Sequence, residues 1–156
     1  MTNIGFACLA IGVEHSNYKT IRKEYLTGEK LKEIISYNLD SLENIIDYNI
    51  KNNIKMFRIS SDLIPFGSSP INKLNWDIIF QDKFKSIAKK IKLGNIRVSM
   101  HPGQYTVLNS PDKEIVNRAI DDLNYHRKIL ELLETDFSSK LILHIGGVYG
   151  DKVIAS

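Results

Sequence analysis

Apolar residues follow two alternating rhythms along this chain. IGFACLAI (residues 4–11), KMFRISSDL (55–63), NIRVSMHP (95–102) and KLILHIGGV (140–148) are short runs of closely spaced apolar residues. Such runs predict strands covered on both faces. Between them the apolar period lengthens to three and four. Leu31, Ile34, Ile35, Leu39, Leu42, Ile45, Ile46 and Ile50 predict a helix over 29–52 with one buried face. Trp76, Ile79, Phe80, Phe84, Ile87, Ala88 and Ile91 predict a second over 76–93, with Gly94 as its stop. A third, to about Glu134, buries Val116, Ala119, Ile120, Leu123, Leu130 and Leu133. Ser110 and Pro111 stand before it in the order of a capping hydroxyl and a first-position proline.

Strand and helix therefore alternate, finishing on a fourth strand. That order predicts an α/β chain with a parallel sheet and helical crossovers, and no linker divides it. Two architectures satisfy it: a doubly wound open sheet, or the first part of a (β/α)8 barrel. A complete barrel takes about 250 residues. The 156 residues here would supply about the first four strands and three helices of one.

Composition adds little to that picture. The chain is 43% hydrophobic and 25% charged, with a formal net charge of +3. This mildly basic balance permits a polyanionic partner without requiring one, and no dense basic patch occurs. No apolar run approaches the roughly 20 residues of a membrane helix. The apolar start lacks a basic lead and reads as a strand, not a signal peptide. The single cysteine, Cys8, excludes an internal disulfide and fits the reducing cytoplasm.

The candidate chemistry collects where strands end. His101 closes the third strand and His144 lies near the end of the fourth, while Asp62 and the pair Ser68–Ser69 follow the second. In parallel α/β sheets the loops at the carboxyl ends converge on one crevice. Neighbouring strands would bring the two histidines together, and two neutral imidazoles begin a site for a divalent transition metal. Either one could instead be a hydrogen-bonded structural residue. Gly146–Gly147 reads as a turn needing positive φ. His126 falls at the spacing of Leu123 and Leu130 and reads as a packing histidine; His15, in a polar loop, carries no signal. Gln104 and Tyr105 follow Pro102 and Gly103 outside any periodic segment. An aromatic ring beside an amide suits a nucleic-acid reader, the ring stacking on a base and the amide bonding to base edges. Loop packing is the alternative.

FRISSDLIPFGSSP, RVSMHPGQYTVLNSP and LILHIGGVYGDK, in that order, resemble the UV damage endonucleases. IGFACL and YNLDSLENIIDYNI are also similar, so the resemblance runs from residue 3 to residue 153. It implies the N-terminal portion, over 1–156, of a single TIM-barrel domain. It also implies a cluster of up to three divalent metal ions, commonly manganese, and nicking of damaged double-stranded DNA on the 5′ side of ultraviolet photoproducts. By the same resemblance His101 and His144 match metal-binding histidines, and Gln104 and Tyr105 match the pair that probes the lesion. Lys152 sits in a typical motif and receives no catalytic role.

Three positions depart from the pattern. Ser69 stands where several relatives carry a metal-binding histidine, Ala10 where some carry a substrate-recognising asparagine, and Phe6 where tyrosine is frequent. The resemblance places further ligands on later strands. A chain with only two of the histidines is accordingly expected to be a truncated portion, inactive alone, whose open sheet edges favour self-association. The family itself is expected to be monomeric. Two other readings fit the same residues. A metal-dependent sugar isomerase or epimerase barrel would use a strand-end carboxylate such as Asp62. A non-catalytic portion would bind DNA weakly.

Overall fold

The computed structural model describes residues 4–150 and residue 153; Lys152 lies outside them. Four strands, β1 (Gly5–Ala7), β2 (Met56–Ile59), β3 (Arg97–Met100) and β4 (Lys140–Leu141), form one sheet in the order β1-β2-β3-β4. Every pairing is parallel, with Phe6 opposite Phe57, Phe57 opposite Val98, and Met100 opposite Leu141. A doubly wound sheet reverses its strand order at a switch point, whereas barrel strands follow one another in sequence. The sequential order resolves the two architectures in favour of the barrel type.

The helices are α1 (Gly28–Lys51), the single turn α2 (Trp76–Ile79), α3 (Gln81–Gly94) and α4 (Lys113–Leu132). Thr27 caps α1, its side chain accepting from the Lys30 amide at 3.2 Å. Leu39, Leu42 and Ile46 of α1, Phe84 and Ile87 of α3, and Ile129 of α4 share one core with Phe57, Ile59, Val98 and Met100. Alternate strand residues point the other way. Arg58, Ser99 and Ile142 line a small hollow of about 320 Å³ on the opposite sheet face. On their outer sides α1 and α3 are joined by ion pairs. Lys83 meets Asp40 at 2.5 Å and Glu43 at 2.6 Å, and Lys90 meets Glu43 at 3.1 Å and Asp47 at 2.6 Å.

Several boundaries differ from the periodicity. The first strand ends at Ala7, because Cys8 takes a φ of 65° and turns the chain. The fourth spans two residues, extended by one bond from the Ile142 amide to the Met100 carbonyl at 3.0 Å. The second helix is broken at Phe80, which ends α2 and precedes α3. Its stop is Asn95, in the left-handed region at a φ of 49°, one residue beyond Gly94. Gly94 is needed for another reason: a Cβ there would meet Ile50 Cγ1 at 2.7 Å. The last helix is capped by Asp112, accepting from the Glu114 amide at 2.8 Å, not by Ser110. Ser110 instead accepts from the Asp112 amide at 3.2 Å, forming the turn that leads into that cap. Ile50 and Ile120 face solvent. Two polar side chains of α1, Asn38 and Asn49, are by contrast fully buried. Asn38 accepts from the Lys19 amide at 2.7 Å and donates to the carbonyls of Lys19, Asp62 and Leu63 at 2.9–3.3 Å. It pins both the entry loop and the turn after β2 to one helix.

Candidate nucleic-acid and metal site

β3 and β4 deliver the histidines. His101 follows Met100 directly, and His144 comes three residues after Leu141. Their ring centres lie 4.6 Å apart, so the strand ends bring the two together as their spacing predicts. Partial burial, then the neighbouring His144 ring, and then Arg58 and His126 hold the His101 imidazole below its ordinary value. A ring kept neutral in this way leaves a nitrogen lone pair for a cation.

Past His101 the chain makes a four-residue turn. The Thr106 amide donates to the Gly103 carbonyl at 2.9 Å, with Gln104 and Tyr105 as the two central residues. Both are exposed, and Tyr105 retains 84% of its accessible surface. Among the described residues neither side chain belongs to the buried core. An open groove of about 1010 Å³ begins at the turn and is lined by Gln104, Tyr105, Val107, Arg118, His144 and Gly146. The loops on its two sides are tied by Asn109, whose amide donates to the Gly147 carbonyl at 3.0 Å. Gly146 adopts a φ of 111°, and a Cβ there would lie 2.0 Å from Asn109 Oδ1. Gly146 thus permits the close approach of Asn109, whereas Gly147 takes no positive φ and the pair itself is not a turn.

Below the site, His126 is fully buried, as its helical spacing predicts. Its Nδ1 lies 2.7 Å from the Asp122 carbonyl and its Nε2 2.9 Å from Ser61 Oγ. The Ser61 hydroxyl donates in turn to the His101 carbonyl at 2.9 Å. Tyr125 donates to the Ser61 carbonyl at 2.9 Å and accepts from the Ile64 amide at 3.1 Å. Thr106, at the foot of the turn, donates to Asp122 Oδ2 at 2.6 Å.

The remaining sequence candidates are placed apart from the histidine pair's contacts. Asp62 is exposed on a 3₁₀ turn (Ser61–Leu63), its carboxylate accepting from Ser60 Oγ at 3.4 Å. Ser69 is half-buried and its hydroxyl accepts from the Ile71 amide at 3.4 Å. Among the described residues no group of three or more His, Cys, Asp or Glu side chains is arranged to hold a metal ion. Imidazole nitrogens are nevertheless donors of the kind divalent transition metals take. Sequence reasoning missed Ser61, Thr106, Arg118, Asp122 and Tyr125. A buried hydroxyl or an exposed arginine leaves no periodic mark, and only Tyr125, on the inner side of α4, had a detectable one.

A sequentially ordered parallel sheet with polar loops at its carboxyl ends defines an α/β barrel-type protein, with its site at the top of β3 and β4. The family model described as UV-endonuclease UvdE matches residues 3–155, and the chain belongs to that family. It is 47% identical over 152 residues to a UV DNA damage endonuclease of Clostridium perfringens, covering 97% of this chain and 37% of that protein. It is 36% identical over 137 residues to one of Bacillus cereus, covering 88% of this chain and 43% of that protein. The crystal structure of SacUVDE superposes with a TM-score of 0.94 at 34% identity, over 99% of this chain and 53% of that one. The chain thus spans less than half the length of these two relatives.

Proposed function

We propose that residues 1–156 form the N-terminal portion of a barrel endonuclease of DNA repair and carry its lesion-engaging surface. One observation carries the reading: the exposed Gln104–Tyr105 turn stands at the mouth of a groove whose wall includes His144, itself paired with His101. The names of the relatives supply the substrate class, ultraviolet-damaged DNA.

In this reading Tyr105 stacks in the space vacated when a damaged nucleotide leaves the helix, and the Gln104 amide bonds to the exposed base edges. Arg118, on the groove wall, pairs with a backbone phosphate. Selectivity arises because a photoproduct already weakens stacking, which lowers the cost of flipping it out. His101 and His144 would hold a divalent cation, manganese by the family resemblance, as part of a larger ligand set. When bound, such ions lower the pKa of a coordinated water and neutralise charge on the phosphate under attack. Cleavage 5′ to the lesion draws on groups beyond this histidine pair. The reading places the protein in the cytoplasm, consistent with one unpaired cysteine; among the described residues no helix is long and apolar enough to cross a membrane.

The test is fluorescence anisotropy on duplexes with and without a single photoproduct, with nicking of irradiated plasmid in manganese measured alongside. The 156-residue chain is expected to prefer the damaged duplex and to leave the plasmid uncut. Tyr105→Ala should weaken damaged-duplex binding about fivefold to a hundredfold, the scale of one base–aromatic stack. Equal affinity for both duplexes would sink the lesion-engaging reading. Efficient nicking would refute the dependence on further groups.

A further inference from the structure

One face of α4 touches both halves of the site. Asp122, Tyr125 and His126 lie three and four residues apart on one side of that helix. Through Thr106, Asp122 holds the foot of the Gln104–Tyr105 turn. Through Ser61, Tyr125 and His126 reach the carbonyl of His101. Both branches are sheltered, since Thr106, Tyr125 and His126 are all buried. The bond at Asp122 is charge-assisted and short, which makes it the stronger kind.

We propose that Asp122, Tyr125 and His126 are positioning residues, a rack on α4 that sets the probing turn and the His101 backbone at a fixed relative placement. The proposal rests on the reading of Gln104–Tyr105 as the lesion-engaging pair. A turn whose ends were free would have to be ordered each time DNA bound, at an entropic cost to affinity. The hydroxyl of Thr106 removes that cost for damaged DNA, where the turn must enter the duplex. It matters less on an intact duplex, where the turn stays outside. Neither Asp122 nor His126 contacts DNA in this scheme; each acts through Thr106 or Ser61.

The experiment is a double-mutant cycle on the full chain. Thr106→Val keeps the shape and deletes the hydroxyl, Thr106→Ser keeps the hydroxyl, and Asp122→Ala deletes the acceptor. Two readouts are taken: amide exchange across 103–107, and the ratio of affinities for photoproduct-bearing and undamaged duplex. Thr106→Val and Asp122→Ala should each accelerate exchange at Thr106 about tenfold and lower the affinity ratio about fivefold, the scale of one hydrogen bond. The double variant should be no worse than either single one, and Thr106→Ser should behave as the parent chain. Additive losses, or Thr106→Val with unchanged exchange, would overturn the rack, as would equal damage from Thr106→Ser. A parent chain without preference for damaged DNA overturns the lesion-engaging reading instead. The exchange cycle would then still decide whether the rack holds the turn.

Discussion

Replacing Tyr125 by phenylalanine removes one oxygen atom from the middle of the molecule. That oxygen accepts from the Ile64 amide at 3.1 Å and donates to the Ser61 carbonyl at 2.9 Å. Burial, only partly offset by the bond from Ile64, pushes the phenol well above its ordinary value, so it is a neutral O–H donor at any working pH. In the phenylalanine variant two hydrogen bonds vanish and a buried amide loses its acceptor. Each neutral bond contributes about 0.5–1.5 kcal/mol, and an orphaned buried donor places the total near the upper end, about 2–3 kcal/mol. The ring itself stays, packed 6.1 Å from Trp76 and against Gly67, so little hydrophobic contribution is lost. Urea unfolding followed by tryptophan fluorescence should show a lower midpoint with an unchanged slope. At this chain length Tm should fall by about 4–12 °C. A loss below about 0.5 kcal/mol would refute the reasoning, because it would mean the Ile64 amide finds another partner.

Asn38→Leu should destabilise by about 3 kcal/mol or more, because it orphans the Lys19 amide and leaves the carbonyls of Lys19, Asp62 and Leu63 without their donor; urea unfolding measures it. Acid should weaken the α1–α3 join. Burial alone would raise the Glu43 carboxyl, but hydrogen bonds from Lys83, Lys90 and Ser86 outweigh it and hold the group below its ordinary 4.5. The folded chain then binds this proton less readily than the unfolded one. Its contribution is therefore complete above 4.5 and disappears as pH falls through the lower folded value. Glu43→Gln should flatten that part of the stability–pH profile, and an unchanged profile would contradict the assignment. Gly146→Ala combines an unfavourable φ with a clash against Asn109. It should cost about 1–3 kcal/mol locally and accelerate amide exchange across 143–148.

The elements and the meeting of His101 with His144 were legible because both follow from local pattern plus one topological rule. Helix α1 begins and ends within a residue of its predicted span, since a long apolar stripe bounded by Thr27 and Asn52 allows few alternatives. The strands were read too long. Apolar residues such as Ile142 and Ile145 do not reveal whether a neighbouring strand pairs with them, and both are exposed here. Asn38 was invisible for the opposite reason, an amide on the inner stripe of a helix that reads as an interruption until its four partners are seen. Ser61 and Thr106 owe their importance to residues forty or sixteen positions away, Ser61 to His101 and Thr106 to Asp122. No local rule reaches that far. The Ser110–Pro111 signal was right about a helix start and wrong by a short turn, because the Ser110 hydroxyl is engaged by the Asp112 amide and Asp112 itself takes the cap.

Because neighbours in the sheet are also neighbours along the chain, β1-β2-β3-β4, the sheet can be laid down in the order in which it is synthesised. Each strand to emerge from a ribosome finds the previous one already in place, and no early strand waits for a distant partner. Within these four strands the histidine pair is completed late: His101 arrives with the third strand and stays alone until the fourth brings His144. Ribosome-stalled chains of increasing length would therefore gather the two imidazoles only after α4 has joined the core.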